Sequence, residues 1–163
     1  MTKITQSSTH FCFVCGVDNP FGLKINFQGD GNGFVSAQTV FISSYQGYPG
    51  IVHGGVISAV LDEAAGRATV LGKRPEVVLV TGKLVVHFRK PVKINELILI
   101  EGRMINHTSR VYQAESCLKS KDGVILAEAE VTLVQPGDQL VGAIQPGDDQ
   151  WVDLEENEGD NDN

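Results

Sequence analysis

Gly54-Gly55-Val56-Ile57-Ser58-Ala59-Val60-Leu61-Asp62-Glu63-Ala64-Ala65-Gly66-Arg67-Ala68-Thr69-Val70-Leu71 is the stretch that decides the fold. Its apolar residues are Val56, Ile57, Ala59, Val60, Leu61, Ala64, Ala65, Ala68, Val70 and Leu71. At helical spacing they surround almost the whole cylinder instead of forming one stripe, which marks a buried helix. Gly72-Lys73-Arg74-Pro75 ends it, with Gly72 in a C-cap role and Pro75 beyond. Upstream, Leu23 to Gln28 alternates apolar and polar residues as a half-buried strand does. Gly29 to Gly33 is a turn, and Phe34 to Val40 is the partner strand of a hairpin. Downstream come strands over Val77 to Phe88, Leu97 to Met104, Val111 to Lys119 and Val124 to Val134. Lys121-Asp122-Gly123 joins the last two as a hairpin turn. One buried helix among six strands predicts an α+β fold, an antiparallel sheet wrapped around one long central helix. A single helix covers one face of that sheet, so the other face points to oligomers.

The rest of the composition sets bounds. The chain has 163 residues, 42% of them hydrophobic and 20% charged, which suits one soluble domain with a core of its own. We expect an N-terminal loop segment over 1–20, the domain over 21–135, and an acidic C-terminal tail over 136–163. The net charge of −7 sits in that tail: Asp148 to Asn163 holds eight acids and no Lys or Arg. The remainder holds 12 acids and 13 bases and is close to neutral. Such a tail reads as a solvated, disordered segment. A near-neutral body without a basic patch speaks against nucleic acid as a partner. No apolar run approaches the length of a membrane span, and the N-terminus lacks a secretory signal pattern. Three cysteines imply no disulfide framework, so a cytoplasmic setting is the expectation.

Two features of the central helix carry chemistry. Asp62 and Glu63 lie in its middle, where carboxylates are costly unless paired or wetted. Asp62, Glu63 and Arg67 can share one narrow wet edge, with Glu63 and Arg67 spaced i, i+4 for an ion pair. The helix start, Pro49-Gly50-Ile51-Val52-His53-Gly54-Gly55, is the second feature. Glycines there let a ligand approach the backbone, and first-turn N–H groups with the helix dipole favour a developing oxyanion. Gly54 and Asp62 are eight residues apart, roughly 12 Å along the axis. One acyl carbon cannot touch both, because attack needs about 3 Å. If both act on one substrate, the carboxylate comes from a second copy of the chain.

Gln46-Gly47-Tyr48-Pro49-Gly50-Ile51-Val52-His53-Gly54-Gly55, with Asp62 nine residues after His53, resembles the hot-dog-fold acyl-CoA thioesterases of the PaaI-like type. Cys12-Phe13-Val14-Cys15-Gly16 with Asn19-Pro20-Phe21-Gly22-Leu23 is similar to the N-terminal segment of many bacterial members. Thr81 to Leu84, Phe88 to Pro91 and Gly123 to Val131 resemble the strands after the helix. The resemblance covers about residues 12 to 134. It implies hydrolysis of an acyl-CoA thioester to a carboxylate and free CoA, by a homodimer or homotetramer. It also implies roles. The Gly54 N–H polarises the thioester carbonyl, and Asp62 of a neighbouring subunit acts as general base or nucleophile. Thr81 helps place the water or the carboxylate. Gln46 matches the Asn or Gln before the motif, and His53 shapes the loop. Gly55, Lys83, Phe88, His107 and Arg110 are the candidates to bind substrate, lining the CoA groove. No cofactor is expected, because the CoA thioester is itself the substrate.

His10, Cys12 and Cys15 invite a zinc site, but a single C-x-x-C without a second pair is a weak signal. No metal is therefore expected. No G-x-S-x-G occurs, so a serine triad is not evident. A CoA-linked hydratase would want a His–Asp pair one helical turn apart, which positions 53 and 62 do not offer. A non-catalytic acyl-CoA-binding or regulatory domain is the rival from a different class, opposed by the presence of Asp62 and Gly54. Acyl-carrier-protein thioesters stay open as donors.

Overall fold

The structure is a computed structural model and describes residues 3–144 and 147–154. The N-terminal part supplies β1 (Ile4–Thr5), β2 (Ser8–Thr9) and β3 (Gln28–Gly29). The body follows as β4 (Phe34–Val40), helix α1 (Gly54–Ala68), β5 (Val80–Phe88), β6 (Leu97–His107), β7 (Val111–Ser120) and β8 (Ile125–Val134). A short helix α2 (Asp138–Ile144) and strand β9 (Trp151–Val152) close the described chain. Among the described residues, seven strands form one antiparallel sheet in the order β1-β3-β4-β6-β7-β8-β5, so β5 ends it on one side. β2 and β9 make a separate two-stranded ribbon.

The sheet curls around α1, as the all-round apolar pattern requires. Ile57, Val60, Leu61, Ala64, Ala65 and Ala68 are buried on the helix, against Val35, Ile98, Ile100, Ala114, Leu118, Ala127 and Val131 of the sheet. The helix lies very close to β6. A Cβ built on Gly102 would stand 2.2 Å from the Ala64 carbonyl oxygen, so only glycine permits this approach. Ser116 on β7 donates its buried hydroxyl to the Leu61 carbonyl at 2.7 Å, which fixes the helix along its length.

Four expectations change. The helix stops at Ala68, three residues early. Thr69 keeps αR geometry and donates to the Gly66 carbonyl through both its N–H and its hydroxyl. Buried Gln6 then donates to the carbonyls of Arg67 and Val70, so the C-terminus is satisfied without Gly72. The alternation over Leu23 to Gln28 is real in burial, with Ile25 and Phe27 inside, but only Gln28–Gly29 joins the sheet. Lys24 has φ +54°, and the N–H groups of Leu23 and Ile25 go to the carbonyls of Phe13 and Val14. That leading segment, read as loop, buries Val14 and Cys15 and supplies β1 and β2.

The fourth change is at the C-terminus. The segment read as tail forms α2 and β9, and β9 pairs with β2. Asp153 accepts hydrogen bonds from Ser7 and Arg74. Residues 155–163, the most acidic stretch, lie outside the described residues. No helix among the described residues is long and apolar enough to cross a membrane.

Candidate active site

Asp62 is half-buried, just past the middle of α1. The Thr81 hydroxyl donates to its Oδ1 at 2.7 Å. Thr81 can reach because β5 carries a register irregularity between Thr81 and Lys83, and a bulge re-aims the side chain beside it. Burial pushes the Asp62 carboxyl above its usual range, the Thr81 hydrogen bond draws it back, and the negative Glu63 adds to the rise. The pair opens on a cleft of about 380 Å³ whose apolar walls include Val78, Leu79, Leu133, Ile144 and Trp151. Ile144 and Trp151 come from the C-terminal segment, where composition alone showed only acidity.

The other end of α1 is arranged differently. His53 is the N-cap, with extended backbone (φ −62°, ψ 136°). Its Nδ1 accepts from the Gly55 N–H at 2.9 Å, and its carbonyl takes the N–H groups of Val56 and Ile57. Among the described residues the Gly54 N–H meets no acceptor, so it is the first-turn donor left for a ligand. Gly55, placed by sequence beside the substrate, has its amide committed to His53. Gln46 is exposed and holds the preceding turn: its Oε1 accepts from the Gly50 N–H at 3.0 Å, and its backbone bridges Val52. Gly54 lines a second cleft, of about 350 Å³, together with Phe88, Arg89 and Lys90.

The sheet register sorts the remaining candidates between these two ends. His107 faces Tyr112, Tyr112 faces Leu133, and Leu133 faces Thr81, one row across four strands. His107 also stacks on Tyr112 with ring centroids 4.9 Å apart. His107 and exposed Arg110 thus belong to the Asp62 end, and exposed Lys83 stands two residues from Thr81. Phe88 closes β5 at the opposite end, beside Gly54.

The polar edge expected for Asp62, Glu63 and Arg67 is only partly wet. Glu63 and Arg67 do pair, Nε to Oε1 at 2.8 Å, but Arg67 is buried. It donates to the Ser7 carbonyl at 2.7 Å and to Cys15 Sγ at 2.9 Å, and its guanidinium lies over the Phe27 ring. The i, i+4 spacing signalled the ion pair. Nothing local signalled contacts to residues 52 and 60 positions away.

Residues 49–127, which hold Gly54, Asp62, Thr81 and Phe88, match the family model described as the thioesterase superfamily. The match spans just under half of the chain. Among solved structures, a thioesterase superfamily protein aligns at 25% identity with TM-score 0.69, over 77% of this chain and 63% of its own. This chain therefore spans less than two thirds of that relative's length. A Streptococcus mutans protein bound to acetyl-CoA aligns at 20% identity and TM-score 0.62, over 69% of this chain and 89% of its own. The PaaI protein of the E. coli phenylacetic acid degradation operon aligns at 13% and 0.62, over 71% and 81%. No curated protein sequence matches the chain. The fold is the hot-dog fold, and the wrapped helix that the sequence predicts is its core.

Proposed function

We propose that this chain is a member of the thioesterase superfamily that hydrolyses acyl-CoA thioesters to a carboxylate and free CoA, in sites shared between two copies of the chain. One observation carries the reading. The Asp62–Thr81 pair and the free Gly54 amide open on separate clefts, eight residues apart on one helix. Neither cleft holds both an acid and an oxyanion donor. The sheet offers a way to unite them, since β5 runs from Thr81 beside Asp62 to Phe88 beside Gly54 and ends the sheet. Antiparallel pairing of β5 with a second β5, about an axis near Leu84 and Val85, sets Thr81 of one copy against Phe88 of the other. Asp62 then meets the other copy's Gly54, twice per dimer.

The chemistry follows from these groups. Asp62, oriented by Thr81, takes a proton from water as its oxygen attacks the thioester carbonyl carbon. The Gly54 N–H and the helix dipole stabilise the oxyanion as it forms. The C–S bond then breaks, and the CoA thiolate leaves with the proton returned from Asp62. Attack by Asp62 itself, through an acyl-carboxylate intermediate, uses the same two groups; single turnover in ¹⁸O-water separates the two routes by where the label lands. Lys90 flanks the Gly54 cleft and suits a CoA phosphate, beside Arg89, which is paired with Glu128 at 2.6 Å. The relative bound to acetyl-CoA supports a CoA thioester as the ligand class.

The test is release of free thiol from a panel of acyl-CoAs. We expect turnover by the native chain and a loss of about 10²–10⁴-fold in Asp62→Asn, with acyl-CoA binding retained. Unchanged hydrolysis in that variant would remove the mechanism.

A further inference from the structure

Three side chains unused by the hydrolytic reading converge at the edge of the Asp62 cleft. Cys12 and Cys15 sit on a tight turn in which the Gly16 N–H donates to the Cys12 carbonyl at 2.9 Å. The Cys15 N–H points at Cys12 Sγ, 3.5 Å away. A Cβ on Gly16 would fall 2.3 Å from the Cys12 carbonyl oxygen, so the turn closes only with glycine there. Ser8 holds the Cys15 carbonyl from the other side. Glu63 reaches this turn from α1. Its Oε1 is held by Arg67, and its Oε2 lies 3.8 Å from Cys12 Sγ. The two sulfurs and a Glu63 oxygen all lie within 4.8 Å of one another.

We propose that Cys12, Cys15 and Glu63 are three ligands of a thiophilic divalent cation, zinc foremost, whose fourth position opens on the cleft shared with Asp62. A tetrahedral zinc with bonds of about 2.3 Å to sulfur and about 2.0 Å to oxygen places its sulfurs about 3.8 Å apart and sulfur about 3.5 Å from oxygen. The Cys12 sulfur–Glu63 oxygen separation of 3.8 Å needs only a few tenths of an ångström of closure, and the other two pairs, within 4.8 Å, need at most about 1.3 Å. Charge also closes. Two thiolates and a carboxylate carry three negative charges, which a divalent cation and the buried Arg67 guanidinium cancel. Arg67 bonds both a ligand oxygen and the Cys15 sulfur, the arrangement that orients ligands around a metal. A disulfide would use the two sulfurs alone and leave Glu63 Oε2 facing an uncharged partner. The cation would pin the N-terminal turn to α1 beside the cleft. This holds whether or not the chain hydrolyses thioesters.

The test uses the full native chain, purified reduced, with zinc measured by mass spectrometry and Co²⁺ added to the chelator-treated protein. We expect about one zinc per chain, and a thiolate-to-cobalt charge-transfer band that falls by about half in Cys15→Ser, since band intensity follows the number of ligating thiolates. Glu63→Gln, which keeps the side chain's shape, is expected to weaken zinc binding at least about tenfold through loss of a ligand. A folded, fully reduced native chain that retains no zinc and shows no charge-transfer band overturns the proposal. So does metal binding unchanged in Cys15→Ser and Glu63→Gln. Reversible disulfide formation in air, without metal in the reduced form, would make the pair a redox dithiol and overturn it equally.

Discussion

Thr81 shows how one hydroxyl decides what a carboxylate can do. Asp62 is half-buried and beside Glu63, two influences that favour its neutral form. The hydrogen bond from Thr81 Oγ1 stabilises the charged form and fixes which oxygen stays free. Thr81→Val keeps the shape and removes that donor. We expect turnover to fall about tenfold while KM changes little, the signature of an interaction realised in the transition state. Steady-state kinetics on an acyl-CoA substrate check it; a rise in KM alone would make Thr81 a binding residue. Residue-scale legibility was uneven. His53, Gly54 and Asp62 stood out because a His-Gly-Gly helix start and a mid-helix carboxylate break the apolar pattern around them. Thr81 entered only by resemblance, since no local rule links an exposed strand threonine to an acid 19 residues earlier. The Glu63 contact to Cys12 lay beyond reach for the same reason, at a separation of 51 residues.

At the scale of elements, close approach of α1 to the sheet governs stability. Gly102 is the point of nearest contact, with the Ala64 carbonyl where a Cβ would go. Gly102→Ala forces α1 and β6 apart. The expected cost is about 1–3 kcal/mol, which lowers Tm by roughly 2–4 °C for each kcal/mol in a chain of this size. Differential scanning calorimetry reads it, and an unchanged Tm would mean that the helix rides higher on the sheet. Elements with a strong period were legible. Phe34–Val40 has the expected bounds, and the Asp-Gly turn joins β7 to β8 with Gly123 at φ +81°. Where backbone partners come from distant chain, the pattern misled. Leu23 to Phe27 alternates like a strand because it covers the core, yet its N–H groups at Leu23 and Ile25 are taken by the N-terminal turn. The C-terminal segment misled in the other direction. Its acidity hid Ile144 and Trp151, which line the Asp62 cleft.

At the scale of the whole molecule, the proposed site takes its reacting groups from different chains. The two clefts on α1 and the open edge of β5 motivate it. Complementation tests it most directly. Gly54→Pro removes the oxyanion donor, and the fold accommodates it: proline suits the first helical position, and His53 already holds the extended backbone required before proline. Asp62→Asn removes the acid. Each variant alone is expected to be inactive. In a mixed dimer, the Asp62 of one chain and the Gly54 of the other rebuild one intact site. Random exchange makes half the dimers mixed, each with one working site of two, so an equimolar mixture should recover about a quarter of native thiol release. A mixture that forms mixed dimers yet stays as inactive as its components would place both groups in a single chain's site and contradict the account.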